Sequence, residues 1–141
     1  MVDVERLVAL LGRVTSRLAV LDGYAEHARV DAEDLLADEV RLGHVKYTFQ
    51  TAIESCIDAA QHVVASEGLG TPSSNAEAFR LLGRAGILPD DLATSLAGAV
   101  GFRNVLVHGY ADVDDRLVVD NLAQLPALRS FVAAMTALLS D

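Results

Sequence analysis

Apolar residues recur every three or four positions along almost the whole sequence, and this spacing limits the possible folds more than any other feature. From Asp3 to about His27, the repeating apolar positions are Val4, Leu7, Leu11, Val14, Leu18 and Leu21. Residues at this spacing line one face of an α-helix. No segment alternates apolar and polar residues over a useful length, as a half-buried strand would, so the sequence predicts an all-α fold.

The second apolar stripe is too long for one straight helix in a domain of this size. It can begin near Asp31 and continue to about Ser66. At about 1.5 Å per residue such a helix would be roughly 54 Å long, against about 35–40 Å for the diameter of a compact domain. We therefore expect it to bend, for example near Gly43, or to extend beyond the core towards a partner.

Capping and turn residues mark three further helical regions. Ser74 followed by Glu77 predicts a capping box at the start of a short helix, which Gly86 ends. The remaining regions are expected from Pro89 to Gly109 and from Asp114 or Asp115 onwards, with a break or kink at Pro126. Five helices joined by short loops predict one antiparallel bundle, a single domain spanning residues 1–141.

The composition favours a cytoplasmic protein without metal or disulfide. The single cysteine, Cys56, excludes an internal disulfide, and its apolar helical setting predicts a buried structural thiol. The histidines show no metal-ligand spacing, and we expect neither a metal site nor a cofactor. The first residues lack the basic start of a signal peptide, and no apolar run approaches the roughly 20 residues that span a membrane.

The acidic balance restricts where nucleic acid can bind. A net charge of −9 argues against a general nucleic-acid binder and against a long RNA-tracking surface on the monomer. The charges within residues 72–110 cancel, however: Arg80, Arg84 and Arg103 stand against Glu77, Asp90 and Asp91. A small RNA site near Arg103 is therefore compatible with the composition.

Four polar residues gather at the end of the fourth helical region. Arg103 falls in the apolar stripe of this helix, where an unpaired charge would be very costly, so it must find an acceptor. Asn104 and His108 are four residues apart and lie on one side of the last turn. Tyr110 follows, where backbone groups lose their partners within the helix.

Residue chemistry alone leaves two interpretations of this cluster open. The side chains can simply cap the helix end. Alternatively they can cleave RNA without a metal, because the ribose 2′-hydroxyl supplies the nucleophile, a histidine transfers protons and an arginine holds the phosphate. One histidine cannot easily be both base and acid, so a symmetric dimer would have to supply the second.

The segment from Arg103 to Tyr110 resembles the Arg-x4-His-x-Tyr signature of HepT-like HEPN proteins. The similarity extends over roughly Leu42 to Met135. Its further matching positions are Tyr47, Gln50, Ala52, Ile53, Glu54, Ile57, Asp58, His62, Pro72, Ser73, Phe79, Leu82, Gly86, Ile87, Leu88, Asp114, Val118, Leu125 and Pro126.

This resemblance implies a fold, an activity and a partner. HepT-like proteins are helical homodimers and act as the toxin ribonuclease of a two-gene module, whose antitoxin is a minimal nucleotidyltransferase of the MntA type. It implies that Arg103 and His108 are catalytic and that the antitoxin transfers AMP to Tyr110. An AMP group there would place a bulky anion two residues from His108 and repel the RNA phosphate. Asn104 would hold the helix end or orient His108.

Several other polar residues have competing interpretations. Arg80 and Arg84 are candidates for contacts to RNA phosphate or to an acidic partner, or they form a solvated face. His44 and His62 are expected to be structural or interface residues. Glu54 and Asp58 are four residues apart and could pair with Arg103, pair with a partner arginine, or face solvent.

Three functional hypotheses follow. The first is an endoribonuclease toxin that cleaves tRNA or mRNA through Arg103 and His108. The second is a non-catalytic helical subunit that docks a nucleotidyltransferase and offers a nucleotide pocket, which the acidity favours. The third is a structural dimerisation domain, which leaves the coincidence of four polar residues at one helix end unexplained. No DNA or membrane partner is expected.

Overall fold

The computed structural model describes residues 2–109 and 112–140, and this part of the chain contains six α-helices and no β-strand. The helices are α1 (Val4–Leu36), α2 (Glu39–Ser66), α3 (Asn75–Arg84), α4 (Asp90–Gly109), α5 (Asp115–Asp120) and α6 (Leu125–Leu139). A 3₁₀ turn, Asn121–Gln124, joins the last two. The predicted all-α class is confirmed.

Side chains cap the starts of four helices. In each, an oxygen accepts a hydrogen bond from a backbone N–H two or three residues later, at 3.0–3.1 Å. The capping residues are Asp3 for α1, Asp38 for α2, Ser74 for α3 and Asp114 for α5. These bonds satisfy backbone donors that have no partner within the helix, and so they fix where each helix begins.

The boundary between the first two helices differs from the prediction. α1 does not end at His27 but continues to Leu36, across a kink at Asp31 (φ −154°, ψ 85°). The Asp31 carboxylate accepts a hydrogen bond from the backbone N–H of Asp34 at 3.1 Å, which restarts the helix for little more than one turn. The chain then turns at 37–38, so the predicted single helix from Asp31 to Ser66 is wrong, and Gly43 lies inside α2.

α1 and α2 pack side by side in opposite directions. Three hydrogen bonds cross between them: Asp3 N–H to His62 Nε2 (3.1 Å), Arg17 Nε to Thr51 Oγ1 (2.9 Å), and the Tyr24 hydroxyl with His44 Nδ1 (2.7 Å). Positions on α2 fall as positions on α1 rise, so the pair is antiparallel and its register is fixed along most of its length. His44 and His62 are satisfied structural residues, as predicted.

α2 is the central helix of the core. It buries small and branched residues along much of its length, and Cys56 among them is fully buried. Burial raises the pKa of the Cys56 thiol, because a thiolate is poorly solvated there. The prediction of a buried structural thiol is confirmed.

The remaining helices close the core through edge-to-face ring contacts. Phe49 meets Phe102 at 5.2 Å between ring centroids, and Phe79 meets Phe131 at 5.6 Å.

Gly86 and Pro126 act as the sequence predicts. Gly86 follows α3 with φ +75°, a conformation that favours glycine, and the helix ends there. Pro126 stands in the first turn of α6, where its missing N–H costs nothing. The last helical region is therefore divided into α5, the 3₁₀ turn and α6.

The segment Asp115–Leu139 is long enough to cross a membrane, and an 18-residue stretch of it has a mean hydropathy of 1.4, which the sequence did not predict. It is interrupted by the 3₁₀ turn at 121–124. α6 also buries Leu125, Phe131 and Met135 in the core of the bundle. Core helices of water-soluble bundles pass the same test of length and composition, so this segment is weak support for membrane insertion.

Candidate active site

Arg103 is held at the edge of the core by a carboxylate from the central helix. It follows Leu96 and Val100 on the buried face of α4, and its side chain is 21% exposed. Glu54 Oε2 accepts hydrogen bonds from Arg103 Nη2 at 2.6 Å and from Nε at 3.2 Å. The expectation that Arg103 must find an acceptor is confirmed, and the pairing left open for Glu54 is resolved.

Asn104 completes the environment of this arginine. Its Oδ1 accepts a hydrogen bond from Arg103 Nη1 at 3.1 Å. Three of the five N–H donors of the guanidinium are thus engaged by Glu54 and Asn104, which leaves two for a ligand. The orientation of His108 by Asn104 stays a prediction, because the hydrogen bond that the structure shows for the amide is to Arg103.

Apolar packing supports the ion pair between Arg103 and Glu54. Glu54 is 33% exposed and lies directly after Ile53, which is buried. Phe102, which precedes Arg103, packs its ring edge-on against Phe49. Both charged side chains therefore project from rigid, packed backbone, and their separation is set by the contact between α2 and α4.

His108 is exposed in the last turn of α4, four residues after Asn104. Within residues 2–109 and 112–140 it has no hydrogen-bond or ion-pair partner. The chain's three other histidines all have one: His27 pairs with Asp34 at 2.9 Å, and His44 and His62 join α2 to α1. A solvent-facing imidazole is open to a bound substrate with which it could exchange a proton.

The last described turn of α4 is tightly confined. Gly109 is the last residue of this helix that the structure describes, so the predicted helix end there stays a prediction, and a Cβ added at Gly109 would lie 3.0 Å from Val113 Cγ2. Tyr110, the predicted site of modification, lies outside the described residues. The close approach of Val113 to Gly109 nevertheless brings the chain back against α4 immediately after the signature.

Arg80 and Arg84 are exposed on α3 and share one carboxylate. Arg84 Nη1 lies 3.2 Å from Glu77 Oε1, and Arg80 Nη1 lies 3.9 Å from Glu77 Oε2. No contact joins either arginine to Arg103 or His108 among the described side chains. Their role in binding RNA or a partner stays a prediction.

The family model described as ribonuclease HepT-like matches residues 11–135. The mRNA nuclease HepT of Shewanella oneidensis is 30% identical over 112 residues, which cover 79% of each chain. The tRNA nuclease HepT of Aphanizomenon flos-aquae is 29% identical over 109 residues, 74% of each chain.

Solved structures share the fold over nearly the whole chain. A tri-AMPylated HEPN toxin of Shewanella oneidensis in complex with its MNT antitoxin superimposes with a TM-score of 0.83 at 24% identity, covering 97% of this chain and 99% of that one. The cytosolic protein YutE of Bacillus subtilis, of unknown function, gives a TM-score of 0.82 at 18% identity, over 98% and 91%. Because the family model spans most of the sequence, this chain belongs to the ribonuclease HepT-like family.

Proposed function

We propose that this protein is the toxin of a HEPN toxin and nucleotidyltransferase antitoxin module, and that it cleaves cellular tRNA or mRNA with Arg103 and His108. The observation that supports the proposal is the contrast between Arg103, which is held in place, and His108, which is exposed to solvent, in the last part of α4. Arg103 is held by Glu54 and Asn104 with two N–H donors left free, and His108, five residues further along the same helix, is exposed and without a partner among the described residues. Relatives named as mRNA and tRNA nucleases support the same activity.

The proposed chemistry needs no metal. The ribose 2′-oxygen attacks the adjacent phosphorus while a histidine takes the proton of the 2′-hydroxyl. The bond from phosphorus to the 5′-oxygen breaks, and that oxygen receives a proton. The products are a 2′,3′-cyclic phosphate and a free 5′-hydroxyl. Arg103 holds the non-bridging oxygens and stabilises the charge that grows on them in the transition state.

A homodimer would supply the second proton-transferring group. His108 of one copy cannot easily act as base and acid in the same turnover, whereas two copies meeting at the ends of their α4 helices would present two histidines and two arginines. The exposed side of α4 supports such a contact. Val105, 43% exposed, and Gly101 make it partly apolar near His108.

The antitoxin would silence the site by modifying Tyr110. The structural relative from Shewanella oneidensis is an AMPylated toxin bound to an MNT antitoxin, which supports a nucleotidyltransferase partner here. Tyr110 follows His108 by two residues. AMP attached to its hydroxyl would occupy the space that the RNA phosphate needs and would repel it by charge. The toxin and its partner would meet in the cytoplasm, where YutE is described to lie.

The second candidate function is a docking subunit that cleaves nothing. The net charge of −9 favours it, because RNA approaches an acidic protein against repulsion. In that case Arg103 and Glu54 would only join α4 to α2, and the exposed His108 would contact the partner protein.

Induction in cells without the antitoxin separates the two candidates. We expect the wild-type protein to arrest growth and to produce discrete RNA fragments, and we expect Arg103→Ala and His108→Ala to be harmless. His27→Ala is the matched control, since His27 pairs with Asp34 far from the end of α4 along the chain. If all four proteins are soluble and affect growth alike, the ribonuclease proposal fails and the docking function stands.

A further inference from the structure

Most lysine and arginine side chains of this protein form ion pairs, and those that form none within the part of the chain that the structure describes lie close together. Of its eleven lysine and arginine residues, eight lie within 4.0 Å of a carboxylate. In the part of the chain that the structure describes, the three that have no such partner are Arg6, Arg13 and Arg17. All three belong to the first half of α1. The net charge of −9 therefore conceals a local group of arginines that form no ion pair within the part of the chain that the structure describes.

These three arginines form a line along one face of the helix. They are seven and four residues apart, and at about 100° per residue they fall within an arc of about 40°. Their Cα atoms are spaced by about 10 Å and 6 Å along the axis, so the line is about 16 Å long. Arg6 and Arg13 are exposed, and Arg17 is half-buried with its Nε bonded to Thr51.

The register between α1 and α2 places this line beside the candidate active site. Arg17 contacts Thr51, and Thr51 lies one turn before Glu54, which holds Arg103. The same register, fixed by the hydrogen bonds at both ends of the pair, brings Arg13 level with Glu54. The free arginines and Arg103 thus flank the exposed strip of α2 from opposite sides.

An exposed aromatic side chain lies on that strip. Tyr47 is 60% exposed and stands one turn before Thr51, whose hydroxyl donates to the Tyr47 carbonyl at 3.0 Å. An aromatic ring open to solvent beside a row of cations is the combination on which single-stranded nucleic acids bind, with phosphates on the cations and a base stacked on the ring.

We propose that Arg6, Arg13 and Arg17, together with Tyr47, bind single-stranded RNA and guide its backbone across α2 to Arg103 and His108. This surface, the α1 arginine line, rests on the proposed ribonuclease function and gives it a substrate class: an unpaired strand rather than a duplex. The guanidinium fork matches phosphate oxygens. Arg13 lies level with Glu54, the partner of Arg103, so a strand bound to this line would lie beside the residues that would act on it.

The carboxylate of Asp58 opposes the binding and offers an independent check. Asp58 is exposed on the same strip, one turn after Glu54, and no cation of the described residues lies within 4.0 Å of it. Because its charge would face the phosphates, Asp58→Asn should strengthen RNA binding, whereas loss of the arginines should weaken it.

The test measures binding of a fluorescein-labelled single-stranded RNA of about 15 nucleotides to the full-length protein by fluorescence anisotropy. All proteins carry His108→Ala, so that the probe stays intact. For Arg13→Ala with Arg17→Ala we expect affinity lower by on the order of tenfold and a log–log salt dependence shallower by about 1.4, from two lost phosphate contacts. The control is Arg29→Ala, an arginine on α1 that is 71% exposed but paired with Glu26.

Further variants separate folding from charge. Thr51→Val removes the hydrogen bond to Arg17 but keeps the cation, so it should bind RNA nearly as well as the parent protein. A Kd for the double arginine variant within twofold of the parent's, with an unchanged salt slope, overturns the α1 arginine line. The α1 arginine line is also overturned if the double arginine variant loses nucleotidyltransferase binding while its RNA affinity is unchanged.

Cleavage by the protein with His108 intact distinguishes failure of this inference from failure of the proposed function. If that protein cleaves RNA, and the arginine substitutions made with His108 intact leave its cleavage unchanged, only the arginine line is lost. If the protein with His108 intact neither binds nor cleaves the strand, the ribonuclease proposal falls with it.

Discussion

At the residue scale, Glu54 determines how Arg103 can act. It engages two nitrogen atoms of the guanidinium through a single carboxylate oxygen, at 2.6 and 3.2 Å, and thereby fixes the plane of the group. The sequence predicted that Arg103 needs an acceptor but left the partner of Glu54 open. Residue spacing fixes faces within one helix, whereas the pairing depends on how α2 and α4 pack against each other.

Replacement of Glu54 by Gln should weaken both the fold and the site. Gln keeps the shape and one acceptor but removes the charge, and a hydrogen bond to a charged group is worth about 1.5–3 kcal/mol. Because the pair is partly exposed, we expect a loss of roughly 1–2 kcal/mol in the free energy of unfolding, measured in urea. RNA cleavage should fall as well, since Arg103 loses its fixed orientation.

Asp58→Asn is the matched control for that substitution. Asp58 lies one turn further along α2, exposed and without a cation within 4.0 Å among the described residues. Its replacement should change stability by less than about 0.5 kcal/mol, as is usual for surface positions. Equal stability of Glu54→Gln and Asp58→Asn would show that the ion pair with Arg103 does not stabilise the fold.

At the scale of the elements, local signals predicted the ends of most helices but not the turn between the first two. The cap at Ser74, the end at Gly86 and the break at Pro126 each depend on the chemistry of one residue, namely a side-chain acceptor, a positive φ and a missing N–H. The turn at 37–38 has no glycine or proline to mark it. Asp38 caps the start of α2 there, but the reversal of the chain follows from the antiparallel packing of α2 on α1.

The contact between α3 and α4 should be sensitive to a single methyl group. A Cβ at Gly83 would lie 2.9 Å from the Cβ of Ala93, which cannot move without its backbone. Overpacking of this kind costs about 1–3 kcal/mol, more than the roughly 1 kcal/mol that alanine gains over glycine in a helix. Gly83→Ala should therefore lower the melting temperature.

Gly12→Ala tests the same substitution where space is free. A Cβ at Gly12 would meet nothing within 4 Å, so this variant should gain up to about 1 kcal/mol from helix propensity alone. The two variants should thus shift the melting temperature in opposite directions. A stabilising effect at both positions would contradict the close approach of α3 to α4.

At the scale of the whole molecule, the distribution of charge matters more than its total. The net charge of −9 predicted no extended RNA surface on the monomer. Yet most cations pair with neighbouring carboxylates, and those without such a partner among residues 2–109 and 112–140 line up beside the site, an arrangement that composition cannot reveal. The second copy that would complete the site stays a prediction from the sequence, which called for a dimer because one chain carries one His108.

Cleavage of a labelled RNA by the purified protein in the presence of EDTA tests the central claim most directly. We predict discrete fragments that end in a 2′,3′-cyclic phosphate from the wild-type protein, and a rate lower by at least about 10²-fold for His108→Ala and for Arg103→Ala. Cleavage that requires a metal, or that proceeds equally well in either variant when it is folded, would contradict the account.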